Sequence, residues 1–246
     1  MLDRKLVFIG AVFALAGLIK GVIGLGLPTV SMGLLAIVMP PLEAAAILVL
    51  PSFLTNVWQM VGGPSLPATA RRLWPMLLAA CLGTWAGAGL MVGPYAKYGS
   101  VLLGVALIAY ALTGFRPKPF TIRASWEIWL GPLTGTITGL ITAATGVFVI
   151  PSVPYLQALA LGKEELIQAL GLTFTVSTVA LSVNIAFAGA LNFGAAEPTM
   201  VALVMAFAGM WAGQALRSRL SPEIFRRCFF AGLLLLGVYL AVDAIR

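Results

Sequence analysis

Apolar segments long enough to cross a lipid bilayer recur along this chain from end to end. Of its 246 residues, 61% are hydrophobic and 9% are charged, whereas a soluble domain carries about 25% charged residues. A helix needs roughly 20 apolar residues to cross about 30 Å of hydrocarbon, and a soluble core of this size would not hide so much apolar surface. The sequence therefore predicts an all-α, polytopic integral membrane protein that is surrounded by a lipid bilayer.

Two of the apolar regions, residues 6–39 and 126–160, are too long for a single crossing. A straight helix of the first length would reach about 50 Å. Each region contains a Gly-rich stretch, GLIKGVIGLGLP at 17–28 and GTITGLITAATG at 135–146. Gly weakens a helix and Pro removes an amide donor, so we expect both stretches to interrupt the helix. Each region is predicted to be a broken or re-entrant hairpin, and the two arms of the first region are each too short to span alone.

The order of segments repeats after residue 114. Spans at about 44–61, 73–92 and 99–114 follow the first long region, and spans at about 166–190, 198–216 and 229–245 follow the second. Glu43 and Glu165 each open the span after a long region, where a carboxylate suits a helix N-terminus. We therefore divide the chain into a first membrane repeat (1–114), a basic cytoplasmic linker (115–125) and a second membrane repeat (126–246).

The distribution of Lys and Arg favours hairpins over single crossings. If each long region returns to its starting side, ten Lys and Arg residues lie on one face and four on the other, and if each crosses once the division is eight to six. The positive-inside rule favours the first arrangement, with both termini outside. Each half then ends on the face opposite to its start, so the halves are predicted to be inverted repeats whose hairpin tips meet near the midplane.

Lys20 is the principal candidate for a binding role. A lysine inside a membrane segment costs several kcal/mol unless it faces a cavity or a partner, although its ammonium could also snorkel to the headgroups. Pro28 suits the first position of one returning helix and Thr145 is a candidate N-cap for the other. Helix N-termini at both hairpin tips would attract an anion.

Other polar and glycine residues complete the predicted substrate-binding set. Hydroxyls in these spans could instead bond their own helix backbone, and Gly17, Gly21, Gly135 and Gly139 could instead let helices pack closely. The predicted set is Lys20, Gly21, Gly24, Gly26, Pro28, Thr29, Asn56, Gln59, Thr142, Thr145, Gly146, Thr173, Ser177 and Asn184.

Several classes of function lack their characteristic residues. The chain has no His and two Cys that are far apart, so we expect no metal, no cofactor and no disulfide framework. The net charge of +7 lies mostly in short loops and no nucleic-acid motif accompanies it, so nucleic acid is not an expected partner. The apolar character continues past residue 16, which favours a first membrane segment over a cleaved signal peptide.

The chain resembles the sulfite exporter TauE/SafE family, whose two tandem halves each open with a G-x3-G-x2-G-x-G-type stretch. Here that stretch is Gly17, Gly21, Gly24 and Gly26, while Leu27-Pro28 and residues 142–146 depart from the family's glycine runs. The resemblance implies carriage of small organosulfur or related anions, of the sulfite, sulfonate, thiolate or carboxylate class, across a bacterial inner membrane. No P-loop is present, so a proton, a sodium ion or the substrate gradient would drive transport.

Three other functions stay open at this stage. The chain could be an anion channel or a membrane-embedded partner subunit. It could also be a membrane enzyme, which is disfavoured because the sequence lacks His and has no paired carboxylates or nucleophile constellation.

Overall fold

The computed structural model describes residues 2–92, 98–115, 121–190, 196–217, 219 and 221–243. Ten α-helices and no strand occur in these residues, which confirms the predicted all-α class. The first half contains α1 (Leu2–Ile23), α2 (Leu27–Leu35), α3 (Pro41–Val61), α4 (Leu66–Ala86) and α5 (Gly99–Gly114). The second contains α6 (Ala124–Thr145), α7 (Ser152–Ala158), α8 (Lys163–Phe187), α9 (Ala196–Leu216) and α10 (Pro222–Asp243). Residues 116–120 of the predicted linker lie outside the described residues.

Five of the described helices, α1, α3, α8, α9 and α10, are long and apolar enough to cross a membrane. α5 is apolar but shorter, with 16 residues. Large apolar side chains stand on the outside of the molecule: Trp58 is 60% exposed, Trp129 80% and Phe187 87%. An apolar exterior of this kind needs lipid around it, so the prediction of a polytopic membrane protein is confirmed.

Each long apolar region contains one long helix and one short helix. α1 and α6 have 22 residues each, whereas α2 has nine and α7 has seven. The prediction that both arms of the first hairpin are too short to span was therefore wrong for α1, since its 22 residues extend about 33 Å. The helices continue through the first glycines because a neighbouring helix packs against them.

The two ends of each long region lie together. Lys5 in the first turns of α1 forms an ion pair with Glu43 at the start of α3, with Nζ 3.2 Å from Oε1. In the second region, the Ile122 amide just before α6 donates to the Ala158 carbonyl at the end of α7 over 2.9 Å. Each region therefore returns to the end of the molecule at which it begins.

The two halves are interleaved through matching helix pairs. α1 packs most extensively against α9 and α6 against α4, while α3 packs on α8 and α5 on α10. Glycines allow the closest of these approaches, since a Cβ added to Gly17 would lie 2.2 Å from the Ala206 carbonyl oxygen and one on Gly135 would lie 2.1 Å from that of Met76. Small residues permit such backbone contact in membranes.

Candidate functional site

The first helix break occupies residues 24–26 at the tip of the first hairpin. Gly24 and Gly26 have φ values of 80° and 113°, a left-handed backbone that glycine adopts without a Cβ penalty. Gly26 caps α2 and accepts a hydrogen bond from Thr29 Oγ1 at 2.9 Å. Pro28 is the second residue of α2, one position later than predicted, where its missing amide leaves no helix bond unmade. Gln59 of α3 donates to the Gly24 carbonyl over 2.9 Å.

The second break follows Thr145, the last residue of α6. Gly146 has a φ of 71° and caps α6, and α7 begins only at Ser152. The prediction that Thr145 is the N-cap of the returning helix was wrong, because Thr145 ends the preceding helix. Its Oγ1 donates to the Ile141 carbonyl at 2.7 Å and accepts from the Val147 amide at 3.2 Å.

The second break touches the returning helix of the first hairpin. A Cβ added to Gly146 would lie 2.9 Å from the Met32 methyl carbon in α2. Met32 and Phe148, which follows the second break, are both fully buried. The second break therefore lies against α2, the returning helix of the first hairpin, in the core of the molecule, while the meeting of the two tips stays a prediction.

Lys20 lies inside the protein, three residues before the end of α1. Its side chain is buried, with the residue 4% exposed, so the ammonium does not snorkel to the surface. Nζ donates to Thr55 Oγ1 at 3.2 Å and to the side-chain oxygen of Asn56, both on α3. Asn56 belongs to the predicted set, and the structure brings it to Lys20 across 36 positions of sequence.

A chain of buried hydrogen bonds leads from Asn56 to α8. Asn56 Nδ2 bonds Ser52 Oγ at 3.0 Å, and Ser52 Oγ bonds Thr178 Oγ1 of α8 at 3.2 Å. We call Lys20, Ser52, Thr55, Asn56 and Thr178 the Lys20 cluster. It joins the first helix of the first half to the central pair α3 and α8.

Three buried hydroxyls in the second half have no hydrogen-bond partner among the described residues: Thr138, Thr173 and Ser177. Thr173 and Ser177 belong to the predicted set and are four residues apart on α8, which places them on one helix face. A buried hydroxyl without a partner is costly. These groups are therefore free to bind a polar solute or water.

Three other residues of the predicted set, Gly21, Thr142 and Asn184, contact groups outside the Lys20 cluster. Gly21 packs against α9, since an added Cβ would lie 2.3 Å from the Met210 carbonyl oxygen, and its position favours the packing interpretation. Thr142 Oγ1 bonds the Thr138 carbonyl in its own helix at 2.7 Å. Asn184 donates to the Thr84 carbonyl of α4 at 2.7 Å and is not hydrogen-bonded to the Lys20 cluster.

Ser52, Thr55, Thr178 and Thr138 were missing from the predicted set. Ser52 lies four residues before Asn56, so the helical spacing of the polar residues could have identified it. Thr138 follows Gly135 by three positions, as Lys20 follows Gly17. Lys20 and Thr138 therefore occupy equivalent positions in the two repeats, and this equivalence could have identified Thr138.

The carboxylates of the described residues lie away from Lys20. Two ion pairs occur among the described residues, and neither includes Lys20. They join Lys5 to Glu43 and Arg72 to Glu127, the second at 2.6 Å. No cluster of His, Cys, Asp and Glu suited to a metal ion occurs in the described parts of the chain. Lys20 therefore has two neutral partners and no anionic one in that part of the structure.

A basic pocket opens at the end of the molecule where α4 begins. It has a volume of about 600 Å³ and is lined by Ser65, Pro67, Ala68, Arg71 and Arg72. Arg71 is exposed, while the hydrogen bonds that Arg72 donates to the Glu127 carboxylate raise the pKa of Arg72. Exposed arginines beside a helix N-terminus attract anions to this end of the molecule.

Comparison with known proteins gives one match. The profile of a family described as Sulfite exporter TauE/SafE matches residues 9–240. The matched segment begins in α1 and ends in α10, so it includes both helix breaks and the whole Lys20 cluster. Searches of curated proteins and of solved structures found no match.

Proposed function

Because this chain belongs to the sulfite exporter TauE/SafE family, we propose that it is a secondary transporter that moves a small organosulfur or related anion across a bacterial inner membrane. The candidate substrates are sulfite, sulfonates, thiolates and short carboxylates. The family is one of membrane transporters, which supports transport of the substrate over its chemical conversion.

The buried ammonium of Lys20 carries this proposal. Lys20 is 4% exposed and hydrogen-bonds only neutral side chains among the described residues. An isolated charge at membrane depth costs several kcal/mol, and a buried charge is normally paired. A negatively charged substrate beside Lys20 would supply the missing partner, so the site selects anions.

Two features of the surrounding structure support binding at this position. The breaks at residues 24–26 and 146–151 place irregular backbone in the protein interior, where membrane transporters bind their substrates. The buried hydroxyls of Thr173 and Ser177 lie on α8, the helix that carries Thr178 of the Lys20 cluster, and would add donors to the proposed site without a second buried charge. Arg71 and its pocket at one end of the molecule would concentrate anions near the membrane surface.

Alternating access follows if the two halves are inverted repeats. The matching helix pairs α1 with α9 and α6 with α4 are what two equivalent halves would form. In this arrangement the two hairpins move against each other and open the Lys20 cluster to one side of the membrane and then to the other. We place both termini outside, because that orientation puts most arginines in the cytoplasm.

Counterflow of labelled sulfite in proteoliposomes tests the proposal. The wild-type protein is expected to accumulate [35S]sulfite transiently when the lumen is loaded with unlabelled sulfite, and the initial rate should saturate. Lys20→Gln should lose sulfite binding by about 30-fold or more, since losing one partner of a buried charge pair costs about 2–5 kcal/mol.

Lys5→Gln is the matched control for this experiment. It makes the same substitution in the same helix, at an exposed lysine that pairs with Glu43 on the surface. Its counterflow is expected to equal that of the wild type. Flux that does not saturate would indicate a channel, and an unchanged affinity in folded Lys20→Gln would remove Lys20 from the site.

A further inference from the structure

The hydrogen bonds of the Lys20 cluster all have a fixed direction. Thr178 Oγ1 donates to the Phe174 carbonyl at 2.6 Å, so it can only accept from Ser52 Oγ. Ser52 Oγ therefore accepts from Asn56 Nδ2, which leaves the Asn56 side-chain oxygen as an acceptor toward Lys20. This sequence of bonds fixes the orientation of the Asn56 amide.

Thr55 presents a second acceptor to Lys20 for the same reason. Its Oγ1 donates its one hydrogen to the backbone of the preceding turn, at 2.7 Å from the Pro51 carbonyl. The oxygen is then free to accept from Lys20 Nζ at 3.2 Å. Lys20 thus faces two acceptors, Asn56 and Thr55, within the described part of the chain.

Two acceptors match a neutral amine and leave an ammonium one bond short. A neutral lysine amine has two N–H groups, and both are satisfied by Asn56 and Thr55. A protonated lysine has three donors, and the third has no partner among the described residues. A bound anion would supply both the third acceptor and the compensating charge, so protonation of Lys20 and anion binding favour each other.

Within the described parts of the chain, the helices packed against Lys20 bring no second ionisable group to it. α2 carries none, and the groups on the other helices that contact α1 or its lysine are all exposed. Glu43 of α3 is 13 residues before Asn56, which contacts Lys20. Glu197 of α9 is 13 residues before Met210, which contacts Gly21. Each separation is about 20 Å along the helix axis. The ionisable groups of α10, which are all exposed, are Glu223, Arg226, Arg227, Cys228, Tyr239 and Asp243.

We propose that Lys20 takes up one proton together with each anion and releases both on the other side, so that the protein is an anion–proton symporter. This inference rests on the proposed transport function. On the loading side, the neutral amine binds a proton from water and its third N–H group donates to the entering anion. After the hairpins reopen, the anion leaves, the proton returns to water, and the amine keeps its bonds to Asn56 and Thr55. For a monovalent anion the cycle moves no net charge.

Proteoliposomes with a pH dye in the lumen test this coupling. The probe is labelled methanesulfonate, which stays ionised, or sulfite if counterflow shows that methanesulfonate is not carried. With an acidic exterior, the wild type is expected to accumulate the anion about tenfold for each pH unit and to move one proton per anion. Setting the membrane potential with potassium and valinomycin should not change the rate of methanesulfonate uptake, because the cycle moves no net charge. Replacing sodium by choline should not change the uptake of either probe.

Lys20→Arg separates binding from coupling. The guanidinium keeps the positive charge but does not release its proton, so this variant is expected to exchange anion for anion while losing accumulation driven by the pH gradient. When sulfite is the probe, the proton flux of Lys20→Arg is subtracted from that of the wild type. This removes the protons that enter bound to sulfite itself. Lys5→Arg, at the exposed lysine of the same helix, should keep full coupling.

The outcomes distinguish the inference from the proposed function. Saturable exchange by the wild type without any response to the pH gradient would overturn proton coupling and leave the transporter intact. Full coupling in folded Lys20→Arg would also overturn it, because the proton would then follow another route. If Lys20→Arg does not fold, the proton-to-anion ratio of the wild type decides alone. Absence of all anion transport would instead contradict the proposed function.

Discussion

At the scale of single residues, Asn56 decides which charge Lys20 can pair with. Its side-chain oxygen is neutral and accepts one hydrogen bond from Lys20 Nζ. A carboxylate at the same position would form a permanent ion pair with Lys20. The neutral amide therefore keeps the lysine available for a solute, and Asn56→Asp is the smallest change that removes this availability.

We expect Asn56→Asp to weaken anion binding by about 30-fold or more, because the new carboxylate competes for Lys20 and repels the substrate. The measurement is the rise in melting temperature of the purified protein with increasing sulfite, since a ligand stabilises the folded state that binds it. Gln157→Glu, at an exposed amide on α7, adds the same charge and should keep the wild-type response. An undiminished response in Asn56→Asp would show that the substrate binds elsewhere.

Part of this site could be predicted from individual residues. Lys20, Asn56 and Gln59 are polar groups inside apolar segments, where each needs a partner, and the structure gives each of them one or more hydrogen bonds. The identity of those partners was not predictable. Thr55 and Asn56 lie 35 and 36 positions from Lys20, and only the packing of α1 against the rest of the fold brings them together.

At the scale of helices, the same residue type serves opposite purposes at different positions. Gly24, Gly26 and Gly146 adopt positive φ at helix termini. Gly17 and Gly135 lie inside helices and touch a neighbouring backbone. The sequence predicted the breaks but not their extent, because a glycine in a helical stretch looks the same whether it ends the helix or packs against another one.

Gly17→Ala tests the packing role. An added Cβ would lie 2.2 Å from the Ala206 carbonyl oxygen, which is backbone and has little freedom to move. Separating α1 from α9 should destabilise the protein by about 1–3 kcal/mol, which a thermal melt in detergent would show as a lower midpoint.

Gly232→Ala is the matched control, because Gly232 is also helical and an added Cβ there meets no atom within 4 Å. It is expected to leave the midpoint unchanged or raise it, since Ala is favoured over Gly in a helix by about 1 kcal/mol. Equal midpoints for the two variants would contradict the close approach of α1 and α9.

At the scale of the whole molecule, the two halves form one interleaved body. The long helix that opens each half packs on a helix of the other half, α1 on α9 and α6 on α4. The ion pairs Lys5–Glu43 and Arg72–Glu127 each fix the start of one long helix to the start of a helix in the first half. The predicted division into repeats at 1–114 and 126–246 stays a statement about sequence, because neither segment packs independently of the other.

The proposed orientation gives a prediction for the two ends of the molecule. After Cys81 and Cys228 are replaced by Ser, a single cysteine at exposed Arg4 should react with a membrane-impermeant maleimide added to intact cells. A single cysteine at exposed Arg71 should react only after the cells are opened, because we place that end in the cytoplasm. Labelling of both from the same side would rule out the proposed topology.

The sequence by itself determined that this is an all-helical membrane protein, that a helix is interrupted within each long apolar region, and that Lys20 needs explanation. These conclusions depend on local properties: apolar length, the backbone freedom of Gly, the missing amide of Pro, and the cost of a charge in hydrocarbon. The tertiary structure alone decided which glycines pack, that Thr145 ends a helix rather than beginning one, and that Asn56 and Thr55 meet Lys20. Those outcomes depend on contacts between segments that are distant in the chain, and no local pattern records them.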